Sequence, residues 1–193
     1  MPRPNRSLER RAQLLPEIAK VFAELGYRRT TTAELAARCG TQEVVLYRLW
    51  PDKKAMFIAA IDYVYESSRV AWEKLLAATG EQTAAERLLA FEATHHGESG
   101  LYRIVFAGLS EADDPEVKAA LGRMYMRYHE FIVRRLAEHR GGSRPGTPEL
   151  AAWAVIGMGT VSSIGRELAI LSPAQRRHLW DEIGPALLGK RRK

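Results

Sequence analysis

The chain predicts an all-α fold in which a small N-terminal helical module is followed by a larger helical domain. Three observations carry this. Apolar residues recur at steps of three and four with no convincing run of alternating strand residues, side chains suited to helix caps precede the apolar runs, and glycine or proline follows them. With 193 residues, 46% of them hydrophobic and 27% charged, the chain has room for one substantial core or for a module of about 50 residues joined to a larger one.

The first helix carries Leu14, Ile18, Phe22 and Leu25 on one face, and Gly26 ends it. Pro16 leaves two starts open, one near Gln13 and one in which Ser7 caps a longer helix bent at the proline. Thr31 and Glu34 have capping-box spacing and open a short second helix with Leu35, Ala36 and Cys39 inward. Gly40 suits a tight reversal, and a third helix covers about Gln42 to Trp50. Pro51-Asp52 closes it, and Asp52 can cap a fourth helix running to about Ala77 with Met56, Ala60, Val64 and Trp72. Further helices are expected near 82–95, 101–111, 115–139, 148–171 and 173–188, the last announced by Ser172-Pro173-Ala174-Gln175, a capping-box spacing with proline at the first helical position. Gly141 to Gly146 reads as a flexible loop.

Charge is unevenly placed. Residues 1–54 hold 11 Lys/Arg against 6 Asp/Glu, residues 55–189 hold 14 against 17, and Lys190-Arg191-Arg192-Lys193 adds four positive charges, for a total of +6. A basic end suits a polyanion partner, because each neutralised phosphate releases counterions, although charge alone is equally consistent with a solvated surface. The single cysteine, Cys39, excludes an internal disulfide framework and a multi-cysteine metal cluster, and Met1-Pro2-Arg3-Pro4 has no apolar signal segment, so a cytoplasmic protein is expected.

Two short helices joined by a glycine turn and braced by a longer one form the geometry that presents a recognition helix to the DNA major groove. The residues are more specific than the spacing. Thr31-Thr32-Ala33-Glu34-Leu35-Ala36-Ala37-Arg38-Cys39-Gly40, followed by Leu46-Tyr47-Arg48-Leu49-Trp50-Pro51-Asp52-Lys53-Lys54-Ala55-Met56, resembles the signature of the tetracycline-repressor (TetR) family over about residues 10–60. The resemblance implies a helix-turn-helix DNA-binding domain at 1–55, a helical effector-binding and dimerisation domain at 56–193, and a ligand-responsive transcriptional regulator, a repressor released from a palindromic operator by a small molecule.

Within that frame, Tyr47 and Lys53 are expected on phosphates, as the family uses matching positions, and Thr31 and Thr32 offer hydroxyls there too, with Thr31 equally well a cap. Gln42, Glu43, Val44 and Arg48 are the expected base readers, with Val45, Leu46, Leu49 and Trp50 turned inward or lining the edge. Many relatives carry a small hydroxyl residue, a lysine and a glycine where this chain has Gln42, Glu43 and Val44, and Glu43 repels phosphate yet can accept from a cytosine amino group.

Leu150 to Gly165 is 16 residues without a charge, too short and too rich in small polar residues for a membrane span. Trp153, Val161, Ile164 and Leu168 are expected on the chain's own core and Ala154, Met158, Ser162 and Gly165 on a partner helix. The family's four-helix dimer adds Leu179, Ile183 and Leu187. Candidate effector contacts are Phe91, His95, Tyr102, Phe106, Tyr125, Tyr128, His129 and Trp153, though aromatics at helical spacing are more often core. The His95-His96 pair points in two directions and is read as lacking a carboxylate at helical spacing, so no metal and no cofactor is expected. No nucleophile elbow, phosphate-binding glycine loop, dinucleotide fingerprint or His-Glu-x-x-His is present, so no enzyme is expected either. A non-specific architectural DNA binder without an effector is a second alternative.

Overall fold

A computed structural model describes residues 6–141 and 147–191, and every regular element among them is a helix. The order is α1 (Arg6–Arg29), α2 (Thr32–Arg38), α3 (Glu43–Leu49), α4 (Lys53–Ala77), α5 (Ala84–His95), α6 (Tyr102–Leu109), α7 (Pro115–His139), α8 (Thr147–Glu167) and α9 (Pro173–Leu188). Most of the expected loop, residues 142–146, lies outside the described residues, as do Arg192 and Lys193 of the basic tail. None of the described helices is long and apolar enough to cross a membrane.

The chain divides into two compact units, one of residues up to Ser67 with Ser99–Met124, the other of Ser68–Glu98 with Tyr125 onward, and the division cuts through α4 and α7. In the first unit α1 passes through Pro16 as one long helix, so Ser7 lies inside it rather than at its cap. The helix is broken at Gly26 (φ 73°, ψ 170°), a backbone conformation that glycine adopts without a side-chain clash. Ile18, Ala19, Val21 and Phe22 are fully enclosed with Leu35, Leu46, Met56, Phe57, Ala60 and Ile61. Phe57 meets Phe22 edge-on at 5.0 Å and Tyr27 at 4.8 Å between ring centres, closing α4 onto the end of α1. Helix α6 packs on α1, and Gly108 admits Leu121 so closely that an added Cβ would stand 3.0 Å from it.

The second unit is built on contacts of α9 with α5 and with α8. Ala85, Leu136, Ala152 and Leu188 form a buried cluster, and Trp72 stacks on Phe131 at 4.7 Å. Thr83 and Glu86 cap α5 reciprocally, and Ser172 and Gln175 do the same for α9, with Pro173 at the first helical turn as its sequence predicts.

The structure reverses the expected faces of α8. Met158, Ser162 and Gly165 are buried inside this chain, whereas Trp153 is 44% exposed, Val161 53%, Ile164 37% and Leu168 64%. The cause is steric. Gly159 accepts the His96 ring and Gly165 accepts Leu171, in each case where a Cβ would stand within 3 Å of the intruding side chain. The small residues therefore serve internal packing. Of the other expected interface residues, Ala154 and Ile183 are exposed and Leu179 and Leu187 half-buried.

Candidate nucleic-acid interface

The reading head is assembled from α2, the turn at Gly40 and α3. Thr31 accepts the Glu34 amide at 3.1 Å through its side-chain oxygen, which starts α2. The turn closes through Gly40 N–H to the Ala37 carbonyl at 3.1 Å and Thr41 N–H to the Ala36 carbonyl at 2.9 Å, with Gly40 at φ 59°. Leu35 on α2 and Leu46 on α3 are both fully buried, and Leu49 and Trp50 anchor the far end of α3. That anchoring leaves Gln42, Glu43, Val44, Tyr47 and Arg48 exposed, as the helical phase predicts, with Val45 half-buried at the edge. Val44 and Tyr47 are each about half exposed, apolar surface on a helix too short to be stable without its buried side.

Three of the expected contact residues bond to one another. The Thr32 hydroxyl donates to Glu43 Oε2 at 2.6 Å and accepts from the Tyr47 hydroxyl at 3.1 Å, so one chain of hydrogen bonds crosses from α2 to both turns of α3. Lys53 is also committed within the molecule. Its Nζ donates to the Tyr27 and Thr30 carbonyls, each at 3.0 Å, and sits 4.4 Å from the centre of the Tyr27 ring. The two carbonyls belong to the segment just past the Gly26 break, and Thr30, itself buried, is tied back by its hydroxyl to the Gly26 carbonyl at 2.7 Å. Lys53 thus braces the α1–α2 connection that sets where Thr31 begins α2. Burial, followed by the charges of Asp52, Asp114 and Glu111, raises the Tyr27 phenol above its ordinary pKa, so it stays neutral beside the ammonium.

Ion pairs that the sequence did not reveal fix the head to its support. Arg38 at the end of α2 makes a two-pronged contact with Glu24 of α1, at 2.9 and 3.1 Å. That bond holds the Glu24 carboxyl below its ordinary pKa and the guanidinium above its own. Lys54 bonds Asp114 at 3.2 Å and also Glu116, and Arg28 bonds Glu111 at 2.7 Å. These partners are far apart in sequence, Glu24 on α1, Glu116 on α7 and Glu111 and Asp114 in the connection between α6 and α7, so no spacing rule points to them.

The candidate effector residues are divided between the two units. Tyr102 and Phe106 meet edge-on at 5.9 Å in the first unit, while the other six belong to the second. There Phe91 stacks on His95, Tyr128 bonds the Ser68 hydroxyl at 2.8 Å, and His129 stacks on Trp153 at 4.6 Å while its Nε2 lies 3.0 Å from the Glu149 carbonyl. Tyr125 is pushed above its ordinary pKa by burial, against a bond to Thr160 that lowers it. An open groove of about 320 Å³ in that unit is lined instead by Glu86, Leu89, His139, Trp180, Asp181 and Arg191, among others. The carboxylate partner of His96 was missed: Glu92, four residues earlier, lies 2.7 Å from Nδ1, and Nε2 lies 2.9 Å from the Gly159 carbonyl. The other Glu92 oxygen accepts the Trp72 indole N–H at 2.8 Å, a partly buried bridge between α4, α5 and α8.

A buried hydrophobic anchor, a glycine turn and one exposed face form a helix-turn-helix, the arrangement that presents a recognition helix to DNA. Residues 14–60 match the model of the bacterial regulatory proteins of the tetR family. The chain is 28% identical over 134 residues, 68% of both proteins, to nucleoid occlusion factor SlmA of Escherichia coli O1:K1 / APEC. Among solved structures, the TetR-family transcriptional regulator of Cytophaga hutchinsonii superposes with a TM-score of 0.77 at 18% identity, covering 98% of each chain. FadR of Bacillus subtilis, in complex with stearoyl-CoA, superposes with a TM-score of 0.69 at 15% identity, covering 92% of this chain and 97% of its own. Over residues 14–60 in sequence, and over nearly the whole chain in fold, the protein is similar to TetR-family transcriptional regulators.

Proposed function

We propose that the protein is a sequence-specific repressor that binds a palindromic operator as a homodimer in the cytoplasm and leaves it when a small-molecule effector binds. The observation that carries this is the face of α3, where Gln42, Glu43, Val44, Tyr47 and Arg48 are exposed over buried Leu46, Leu49 and Trp50. Residues 1–55 are the reading head in this proposal, and 56–193 hold the effector and dimer functions. Gln42 suits adenine and Arg48 guanine in the major groove, with Tyr47 and Thr32 on phosphates. Thr31 is a cap, and Lys53 acts by positioning.

The dimer surface proposed here is the exposed apolar stripe of α8 with Leu168 just past its end, Trp153, Ala154, Val161, Ile164 and Leu168, continued on α9 by Leu179, Ile183 and Leu187. Surface of this kind on a soluble helical protein marks an interface. An effector site in the second unit is supported by the acyl-CoA complex of FadR, a fold relative, and by the aromatic side chains of α4, α5, α7 and α8. An effector would act by binding the operator-free conformation better than the operator-bound one. No enzymatic activity is proposed.

Selection of binding sites from random DNA, followed by footprinting at several salt concentrations, tests the proposal. A palindromic motif with steep salt dependence is expected. An asymmetric single half-site would overturn the dimeric mode. Binding spread over many unrelated chromosomal sites would favour a second reading, a DNA binder without an effector, toward which the named role of the relative SlmA leans.

A further inference from the structure

We propose that Glu43 is a specificity-determining residue that holds the phosphate-contacting hydroxyls of the reading head and releases them only where a cytosine takes over its carboxylate. This rests on the DNA-reading role assigned to α3. The geometry is the relay Tyr47 O–H to Thr32 Oγ1 at 3.1 Å and Thr32 O–H to Glu43 Oε2 at 2.6 Å. A hydroxyl has one proton to donate. With the Thr32 proton on Glu43 and the Tyr47 proton on Thr32, neither hydroxyl has one left for a phosphate. The acceptor at the end of the relay is moreover an exposed carboxylate, a negative charge held where the DNA backbone would bring another.

DNA must therefore displace Glu43 before Thr32 and Tyr47 can donate to it. What happens to the carboxylate then depends on the base it faces. A cytosine presents an amino group beside an apolar C5–H edge, and a carboxylate accepts from it without opposition; adenine's amino group stands beside the N7 acceptor, which repels the second carboxylate oxygen, guanine presents only acceptors and thymine an acceptor and a methyl group. Opposite cytosine the lost bond to Thr32 is replaced and the phosphate contacts are added. Opposite guanine or thymine the carboxylate is left facing acceptors close to the phosphates. Glu43 thus discriminates by penalising the wrong partner, which is how a short recognition helix can reject abundant competing sequence. The neighbouring Val44 is apolar and cannot supply a compensating donor, and Arg48 lies more than a turn further along the same helix.

Fluorescence anisotropy decides this with three duplexes: the one returned by site selection, the same with the cytosine facing Glu43 exchanged for guanine or thymine, and one of random sequence. Glu43→Ala is expected to tighten binding to the random duplex by about tenfold, the scale of one hydrogen bond to a charged group, and to abolish the difference between the first two. In a Thr32→Val background the gain on random sequence is expected to shrink to less than about threefold, because the hydroxyl that Glu43 withholds is gone. Glu43→Ala binding random DNA no tighter than wild type, or a gain of the same size with and without Thr32, would overturn the proposal. Wild-type protein that binds none of the three would overturn the reading-head assignment itself, a separate result. Thermal melts of each variant confirm that the head remains folded.

Discussion

Replacing Lys53 by Met keeps the aliphatic stem against Tyr27 and removes two hydrogen bonds and one charge over the ring. The bonds run from an ammonium to the Tyr27 and Thr30 carbonyls at 3.0 Å each, and the ring centre is 4.4 Å away. A bond from a charged donor contributes roughly 1.5–3 kcal/mol when well buried, but Lys53 is half-buried and water replaces part of the loss. A net destabilisation of about 2 kcal/mol follows, with a fraction of it from the lost cation–π contact. For a chain of this length that lowers the melting temperature by about 4–8 °C. DNA affinity is expected to fall as well, because the braced segment ends where Thr31 begins α2, but the cause is displacement rather than a lost phosphate contact. The slope of log affinity against log salt distinguishes these, since removing one phosphate contact lowers it by about 0.9. Calorimetric melting together with a salt series on the selected duplex is the assay. An unchanged melting temperature with a slope reduced by about one would refute the bracing argument and return Lys53 to the phosphate.

Arg48→Ala is expected to relax base preference at one position of each half-site by roughly 1–3 kcal/mol while leaving the melting temperature in place, read by repeating the site selection with the variant. Ile164→Glu and Gly165→Glu, adjacent on α8, should behave oppositely. The first places a charge on the exposed stripe and should give a folded monomer in sedimentation with weakened operator binding. The second drives a side chain into Leu171, 2.5 Å from where its Cβ must sit, and buries a carboxylate, so it should cost several kcal/mol and lower the melting temperature before any dimer is lost. Glu86 titrates below its ordinary value of 4.5, chiefly because its carboxylate accepts the Thr83 amide at 2.6 Å, with burial acting in the opposite direction. A depressed carboxyl pKa adds stability that is complete above 4.5 and is lost as pH falls through the folded-state value. Glu86→Gln should therefore lower the melting temperature at neutral pH and converge with wild type as pH falls below 4.5, which flattens the acid limb of the profile.

What could be read from the sequence alone is what is decided locally. Helix α9 begins at Pro173 and α4 at Lys53 because Ser172 and Asp52 bond amides three residues ahead, at 3.2 and 2.7 Å, and such bonds need nothing from the rest of the chain. The exposed face of α3 was legible for a related reason: once Leu46 and Leu49 go inward, helical periodicity leaves Glu43, Val44, Tyr47 and Arg48 outward. Tertiary structure decided the rest. Leu150 to Gly165 has no charge to mark a solvent side, so its amphipathic signal is nearly flat, and which face turned inward depended on the His96 ring entering at Gly159 and Leu171 at Gly165. Lys53 finds its carbonyls 26 and 23 residues back, and Thr32 finds Glu43 eleven residues on across the turn. Hydrogen bonds and close packing between separate helices depend on distances that only the folded chain sets, and no periodicity or capping rule encodes them.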